Sequence, residues 1–165
     1  MAAKMTTLED LYVDMLKDLY SAEKQLVKAL PKMAKNSQNA QLQKAFQEHL
    51  KQTEGHVERI ERIFTELGGS PRGKKCMGME GLVEEGNELL QEDAEPDVLD
   101  AGLIAAAQKV EHYEIASYGT VRTWAERLGY NNAAKLLQQT LDEEGAANKK
   151  LTEIAETFVN MEAES

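Results

Sequence analysis

Four long segments with helical periodicity, separated by loops of very unequal length, constrain the fold of this sequence most. Apolar residues recur every three or four positions in each segment, and the segments comprise 7–34, 40–67, 97–128 and 132–159. This spacing predicts four amphipathic helices of similar length. Thr6 and Glu9 have the spacing of a capping box at the start of the first helix. Pro31 is expected to kink that helix or to end it early.

The loops predict how these helices are connected. Only a few residues separate the first helix from the second and the third from the fourth, so each pair is predicted to form an antiparallel hairpin. The second and third helices are joined by the long segment 68–96, which includes a short amphipathic helix at 79–92. A segment of this length can return along the bundle, so the third helix should run parallel to the second. The predicted fold class is therefore all-α, a ferritin-like four-helix bundle with a long crossover, in a single domain over 1–165.

The charge of the chain excludes several classes of function. Its 29 acidic and 19 basic residues give a net charge of -10, which repels phosphate backbones and anionic membrane surfaces. We therefore expect no nucleic-acid partner and no membrane association, and the longest apolar run, 101–107, is too short to span a bilayer. The first ten residues contain no apolar segment of a secretory signal, and Cys76 is the single cysteine. Both features predict a cytoplasmic protein.

Four acidic residues interrupt the apolar faces of three predicted helices near the helix midpoints. Glu23, for example, follows Leu19 by four positions and precedes Leu26 by three, so it occupies a position that faces the core. In a bundle of matched helices the midpoints lie at the same level. Four carboxylates are therefore predicted to meet near the centre of the bundle, namely Glu23, Glu111, Glu114 and Glu144.

These acids predict a metal site. Burying ionised carboxylates without partners costs several kcal/mol each, and the basic residues lie off these faces, with Arg122 as the nearest exception. Two divalent cations would balance the charge, and hard oxygen ligands with one or two imidazoles suit Fe(II) or Mn(II). Both His49 and His56 can face inward, and His56 is preferred as a ligand because a ferritin-like bundle places a histidine there. The predicted ligands of a dinuclear Fe or Mn site are Glu23, His56, Glu111, Glu114 and Glu144. A metal-free layer of protonated or hydrogen-bonded acids is the alternative.

Four segments resemble the YciF/YciE-type ferritin-like stress proteins of bacteria. The matching segments are DLYSAEKQL at 18–26, KCMGMEGL at 75–82, AAAQKVEHYEIASYGT at 105–120 and LGYNNAAKLLQQTLDEE at 128–144. The resemblance extends from about residue 7 to residue 155. It implies a ferritin-like four-helix domain that forms a homodimer, takes part in stress responses and holds a dinuclear metal site.

The sequence departs from the wider ferritin-like ligand pattern in two helices. That pattern has Glu-x-x-His on the second and fourth helices, whereas this chain has Thr53-x-x-His56 and Glu144-x-x-Ala147. A site with a single metal ion, or one that binds metal weakly, is therefore an alternative to the full dinuclear site. The function predicted from these observations is a reaction of O₂ or peroxide at the metal site. The alternative is a non-catalytic stress-response dimer or partner-binding bundle with a metal-free polar core, and a hollow iron-storage shell is favoured less.

Overall fold

The computed structural model describes residues 4–165. Residues 1–3, which belong to the predicted domain 1–165 and to the ten N-terminal residues considered above, lie outside the described residues. The described chain forms six α-helices and one π-helical turn, which are α1 (Leu8–Asn36), α2 (Ala40–Leu67), α3 (Met77–Leu89), α4 (Pro96–Leu128), α5 (Asn131–Ile154), the π-helical turn (Ala155–Val159) and α6 (Asn160–Glu164). Residues 4–165 contain no β-strand, which confirms the predicted all-α class. Within the same residues, no helix combines the length and the apolar character needed to cross a membrane.

The contacts between helix ends fix the direction of each helix. Asp100 near the start of α4 accepts hydrogen bonds from the backbone at the start of α2, so α2 and α4 run in the same direction. Tyr130, just before α5, donates a hydrogen bond to Glu9 near the start of α1, so α5 runs parallel to α1. Because α1 and α5 each pack against both α2 and α4, the parallel helices lie diagonally opposite. This confirms the ferritin-like bundle of two antiparallel hairpins with a long crossover.

The crossover helix α3 packs on the outside of the bundle against α1 and α4. It begins two residues earlier and ends three residues earlier than the predicted 79–92. The packing against α4 is close at Gly78, where a Cβ atom would lie 2.6 Å from the Tyr113 ring. Glycine is therefore required there for α3 to dock on α4 in this position.

The start of α1 differs from the prediction by one residue. The capping box is formed by Thr7 and Asp10, and the predicted pair of Thr6 and Glu9 is wrong. Asp10 Oδ2 accepts the backbone N–H groups of both Thr6 and Thr7 at 2.9 Å, while Thr7 Oγ1 accepts the N–H of Asp10 at 3.1 Å. Thr6 and Thr7 are adjacent and each has an acidic residue three positions later, so the sequence offered two candidate N-caps. In the structure Thr7 is the N-cap, and the helix begins at Leu8.

Helix α1 continues through Pro31 to Asn36, so the expectation that this proline could end the helix early is wrong. Proline has no N–H to donate to the carbonyl four residues earlier, which weakens one turn of the helix. The following turn is held by Ser37, whose N–H and hydroxyl both donate to the carbonyl of Met33, at 3.1 Å and 2.8 Å. These bonds stabilise the C-terminal end of α1 beyond the proline.

Two apolar clusters fill the two halves of the bundle. One contains Leu26 of α1 and Phe46 of α2, and the other contains Leu19 of α1 and Ile60 of α2. The chain positions between these residues, on both helices, are the middle turns of the bundle. The fold therefore leaves one layer at mid-height that neither apolar cluster occupies.

Asp100 is a buried acid that the sequence analysis did not single out. It is 1% exposed, and it accepts the N–H groups of Gln38 at 3.0 Å and Asn39 at 2.7 Å. Asp100→Ala should lower the free energy of unfolding by about 2 kcal/mol, since it removes charged acceptors from two backbone donors. Urea denaturation followed by circular dichroism measures this loss. Exposed Asp93 serves as the control, and an equal loss in Asp93→Ala would contradict the assigned role.

Candidate metal centre

Six polar side chains converge in the layer between the two apolar clusters. Each is at most 7% exposed, and together they are Glu23 of α1, His49 and His56 of α2, Glu111 and Glu114 of α4, and Glu144 of α5. The heptad spacing of the two histidines, and the spacing of three between the two acids of α4, place each pair on one helix face. All five residues predicted as ligands are buried in this layer, and His49 joins them.

The first group of potential ligands surrounds His49. Its Nε2 atom lies 3.0 Å from Glu111 Oε1 and 3.6 Å from Glu144 Oε2. With Glu114, these residues offer four ligand atoms, all within 4.8 Å of one another. One position thus has three carboxylates and one imidazole around it.

The second group surrounds His56. Its Nδ1 atom lies 3.0 Å from Glu144 Oε1 and 3.3 Å from Glu23 Oε1. Glu144 belongs to both groups, because its Oε1 atom faces His56 and its Oε2 atom faces His49. This carboxylate therefore lies between two potential metal positions, as a bridging ligand would.

The unsatisfied atoms of these side chains test whether a metal pair fits. Both oxygens of Glu114 and Glu144, His49 Nε2 and His56 Nδ1 are buried without a hydrogen-bond partner among residues 4–165. The short N–O distances above do not have hydrogen-bond angles, so these atoms converge on shared points rather than pairing. Ligands about 2.0–2.2 Å from one ion lie at most about 4.4 Å apart, so a small contraction of each group suffices. The nitrogen and oxygen donors fit Fe(II) or Mn(II).

Burial changes the protonation of the carboxylates. It raises the pKa of Glu114 well above its ordinary value, and the charge of Glu144 adds to this effect. Burial also raises the pKa of Glu144 to about 8, against the opposing effect of His56. Without a cation, burial therefore favours the protonated form of both carboxyl groups.

Burial and the neighbouring carboxylates have opposite effects on the pKa values of the two imidazoles. Burial lowers the pKa of His49, but Glu111 and Glu144 raise it more, to about 9. Burial likewise lowers the pKa of His56, which Glu144 and Glu23 then raise to about 10. Protons on these imidazoles balance part of the carboxylate charge, and a metal ion would have to displace them.

A charged pair outside the layer orients His56. Glu143 Oε2 lies 2.8 Å from His56 Nε2, and both Glu143 oxygens accept hydrogen bonds from Arg59 at 2.8 Å. This contact fixes the ring so that Nδ1 faces Glu23 and Glu144, in the way that carboxylates orient metal-binding histidines. The sequence analysis placed Arg59 off the inward face, and its side chain reaches the site through Glu143.

Two further hydroxyl groups hold residues of the centre in place. Tyr118 donates a hydrogen bond to Glu23 Oε1 at 2.5 Å, and Glu23 Oε2 has no hydrogen-bond partner within the described part of the chain. The hydroxyl of Thr53 donates to the backbone carbonyl of His49 at 2.9 Å. The hydroxyl of Thr53 is therefore engaged with its own helix.

The sequence comparisons define the family. The model of the family described as Domain of unknown function (DUF892) matches residues 7–164. Protein YciF of Escherichia coli (strain K12) is 52% identical over 162 residues, which cover 98% of each chain. The chain belongs to this family. The resemblance noted from its sequence segments is thus confirmed.

Solved structures support the same family and its fold. The crystal structure of the E. coli stress protein YciF aligns with a TM-score of 0.91 at 52% identity, covering 94% of this chain and 99% of that one. YcfI from Rhodopseudomonas palustris aligns with a TM-score of 0.89 at 43% identity, covering 92% and 97%. A two-domain protein from Anabaena variabilis that contains a ferritin-like domain aligns at 17% identity, with a TM-score of 0.60 over 94% of this chain and 38% of that one. This last match shows a ferritin-like fold alone.

Within this fold the potential nitrogen ligands are distributed differently from those of the wider ferritin-like pattern. Both imidazoles come from α2, and α5 carries Ala147 where that pattern has a histidine. His49 and His56 are one heptad apart, so each lies beside a different ligand group. The sequence analysis ranked His49 below His56 because it followed the ferritin-like motif. The heptad spacing was the signal that could have identified both.

The protonation of Glu114 can be tested in metal-free protein. Glu114→Gln should leave stability near pH 5 within about 1 kcal/mol of the unsubstituted protein, because a neutral amide replaces a carboxyl group that is already protonated. A raised pKa favours the protonated native state, so the unsubstituted protein loses stability as pH rises above the ordinary glutamate value. The variant should therefore become the more stable of the two as pH rises. Urea denaturation at pH 5, 7 and 8.5 measures the difference.

The matched control is Glu153→Gln, since Glu153 is exposed on α5. It should follow the unsubstituted protein at every pH. A Glu114→Gln variant that is uniformly less stable, with no trend in pH, would show that Glu114 is ionised in the native state.

Proposed function

We propose that this protein binds two divalent iron or manganese ions at mid-height in its bundle and uses them in a redox reaction with O₂ or peroxide during stress. The observation that carries this proposal is the position of Glu144, whose two oxygens face two different imidazoles at 3.6 Å and 3.0 Å. A solitary buried acid would need one partner, whereas this one lies between two groups of donors. The link to stress comes from the E. coli relative, which is described as a stress protein.

Iron or manganese bound here would supply redox chemistry towards O₂ or peroxide. The protein would supply the charge balance, since four carboxylates match two divalent cations. Tyr118 holds Glu23, and Glu143 holds His56, so two ligands are oriented before any ion binds. The neighbouring apolar clusters limit the access of water to the layer.

The competing proposal is a non-catalytic stress-response dimer or partner-binding bundle with a metal-free polar core. The raised pKa values of Glu114 and Glu144 favour it, because protons can neutralise these acids without a metal. The homodimer and the cytoplasmic location remain predictions under both proposals. Sedimentation of the purified protein measures the oligomeric state.

Metal stoichiometry tests the dinuclear site. The unsubstituted protein, purified without metal, should bind two equivalents of Mn²⁺ in an isothermal titration. Glu23→Gln should weaken only the position beside His56, and Glu111→Gln only the position beside His49, each by about tenfold to 100-fold. Glu144→Gln should weaken both positions, because it removes the shared carboxylate.

Exposed Glu153→Gln is the control, and it should bind two equivalents like the unsubstituted protein. The competing proposal expects less than stoichiometric metal in every sample. It also expects Glu23→Gln and Glu111→Gln to leave the melting temperature unchanged or raised, with no effect of a chelator. That combined result would overturn the metal site.

The affinity for Mn²⁺ should depend on pH in a defined direction. His49, with a pKa of about 9, and Glu144, with a pKa of about 8, carry protons at pH 6 that must leave when they bind a metal. The apparent Kd should therefore fall by about tenfold or more for each pH unit between 6 and 8. Titrations in two buffers of different ionisation enthalpy would measure the protons released. A Kd independent of pH would contradict this assignment of ligands.

A further inference from the structure

A cavity of about 130 Å³ opens between α2 and α5 and reaches the metal centre. His49 and Glu111 line its inner end, so a molecule in the cavity would lie directly beside the first ligand group. Glu48, Gln52 and Lys150 also line it, and Glu48 and Lys150 are about half exposed, which places them at the mouth. The cavity therefore has polar side chains at its mouth and at its inner end.

The body of the cavity is apolar. The apolar side chains around it come from all four long helices, and they include Leu26, Leu30, Phe46, Val110 and Leu151. All five belong to, or are packed in, the buried apolar cluster on that side of the metal layer. A polar molecule in this space would lose hydrogen bonds to water without regaining them from the walls.

A small residue of α5 forms part of the cavity wall. Ala147 lines the cavity and lies three positions after Glu144, which is the position where a ferritin-like Glu-x-x-His sequence places a histidine. The imidazole that this position lacks is supplied from α2 by His49. The small side chain at this position therefore borders the cavity beside the centre.

We propose that this cavity binds a small, uncharged, apolar molecule against His49 and Glu111. Its volume is close to that of an engineered apolar cavity of about 150 Å³ in another protein, which binds benzene or xenon. The occupant class thus extends from dioxygen to a six-carbon ring. The consequence for the reaction at the metal centre rests on the proposed function, whereas binding in the cavity itself does not require a metal.

The mouth of the cavity agrees with an uncharged occupant. Lys150 of α5 forms an ion pair with Glu48 of α2 across the opening. The pair is neutral overall, so it offers no net charge to attract a charged substrate. Because both side chains are long and partly exposed, they can move aside without disturbing the buried layer.

Xenon and benzene binding to the full-length, metal-free protein test the proposal. Crystals under xenon pressure should show xenon between α2 and α5, and isothermal titration should detect benzene. Ala147→Leu should abolish the binding of both probes by filling the cavity, and Ala147→Val should reduce it. Ala116→Leu is the control, since Ala116 is exposed on α4 and does not line the cavity. Its probe binding should equal that of the unsubstituted protein.

The outcomes separate the two proposals. Binding of both xenon and benzene would support occupants from the size of dioxygen to that of a six-carbon ring. Binding of xenon alone would support an occupant of the size of dioxygen. Xenon absent from the unsubstituted protein, retained at the same place in a folded Ala147→Leu variant, or bound at undiminished occupancy in a folded Ala147→Val variant would overturn the inference. Mn²⁺ titration of the same samples reports on the proposed function, because xenon binding without Mn²⁺ binding would leave the cavity proposal standing and the metal proposal refuted.

Discussion

The burial of four carboxylates in one layer is the constraint on which the rest of this structure depends. Removing ionised carboxylates from water costs several kcal/mol each unless other charges or hydrogen bonds compensate. The protein compensates with two imidazoles from α2, with the hydroxyl of Tyr118 and with raised pKa values of Glu114 and Glu144, which favour their neutral forms. None of these satisfies every oxygen in the layer. The remaining unsatisfied atoms lie in two groups that share Glu144, and each group could hold a metal ion.

The topology of the bundle is what allows the layer to form. The diagonal placement of parallel helices brings the midpoints of α1, α2, α4 and α5 to one level, with an apolar cluster in each half of the bundle. The apolar surface buried in those clusters stabilises the fold and offsets the free-energy cost of burying the polar layer. One cluster also contains the cavity that reaches His49. The same apolar cluster therefore borders the polar layer and lines the cavity that reaches it.

Much of the candidate site could be read from the sequence, because helical periodicity directly determines which residues share a face. Glu23, Glu111, Glu114 and Glu144 interrupt apolar stripes, and an interrupted stripe is visible without a structure. The contribution of Glu143 could not be read in this way. It reaches His56 from a position beside the inward stripe of α5, and only the packing of α5 against α2 shows that contact.

The helical class, the long crossover and the level at which the acids meet could be predicted from the amino-acid sequence, since each follows from local periodicity and loop length. The tertiary structure decided which atoms face each other across helices. It gave each imidazole of α2 its own group of carboxylates and placed Glu144 between them. It also placed Ala147, at the position where the ferritin-like pattern has a histidine, on the wall of a cavity. These features depend on distances between helices, which are set by side-chain packing over the whole core and are not encoded in any single segment.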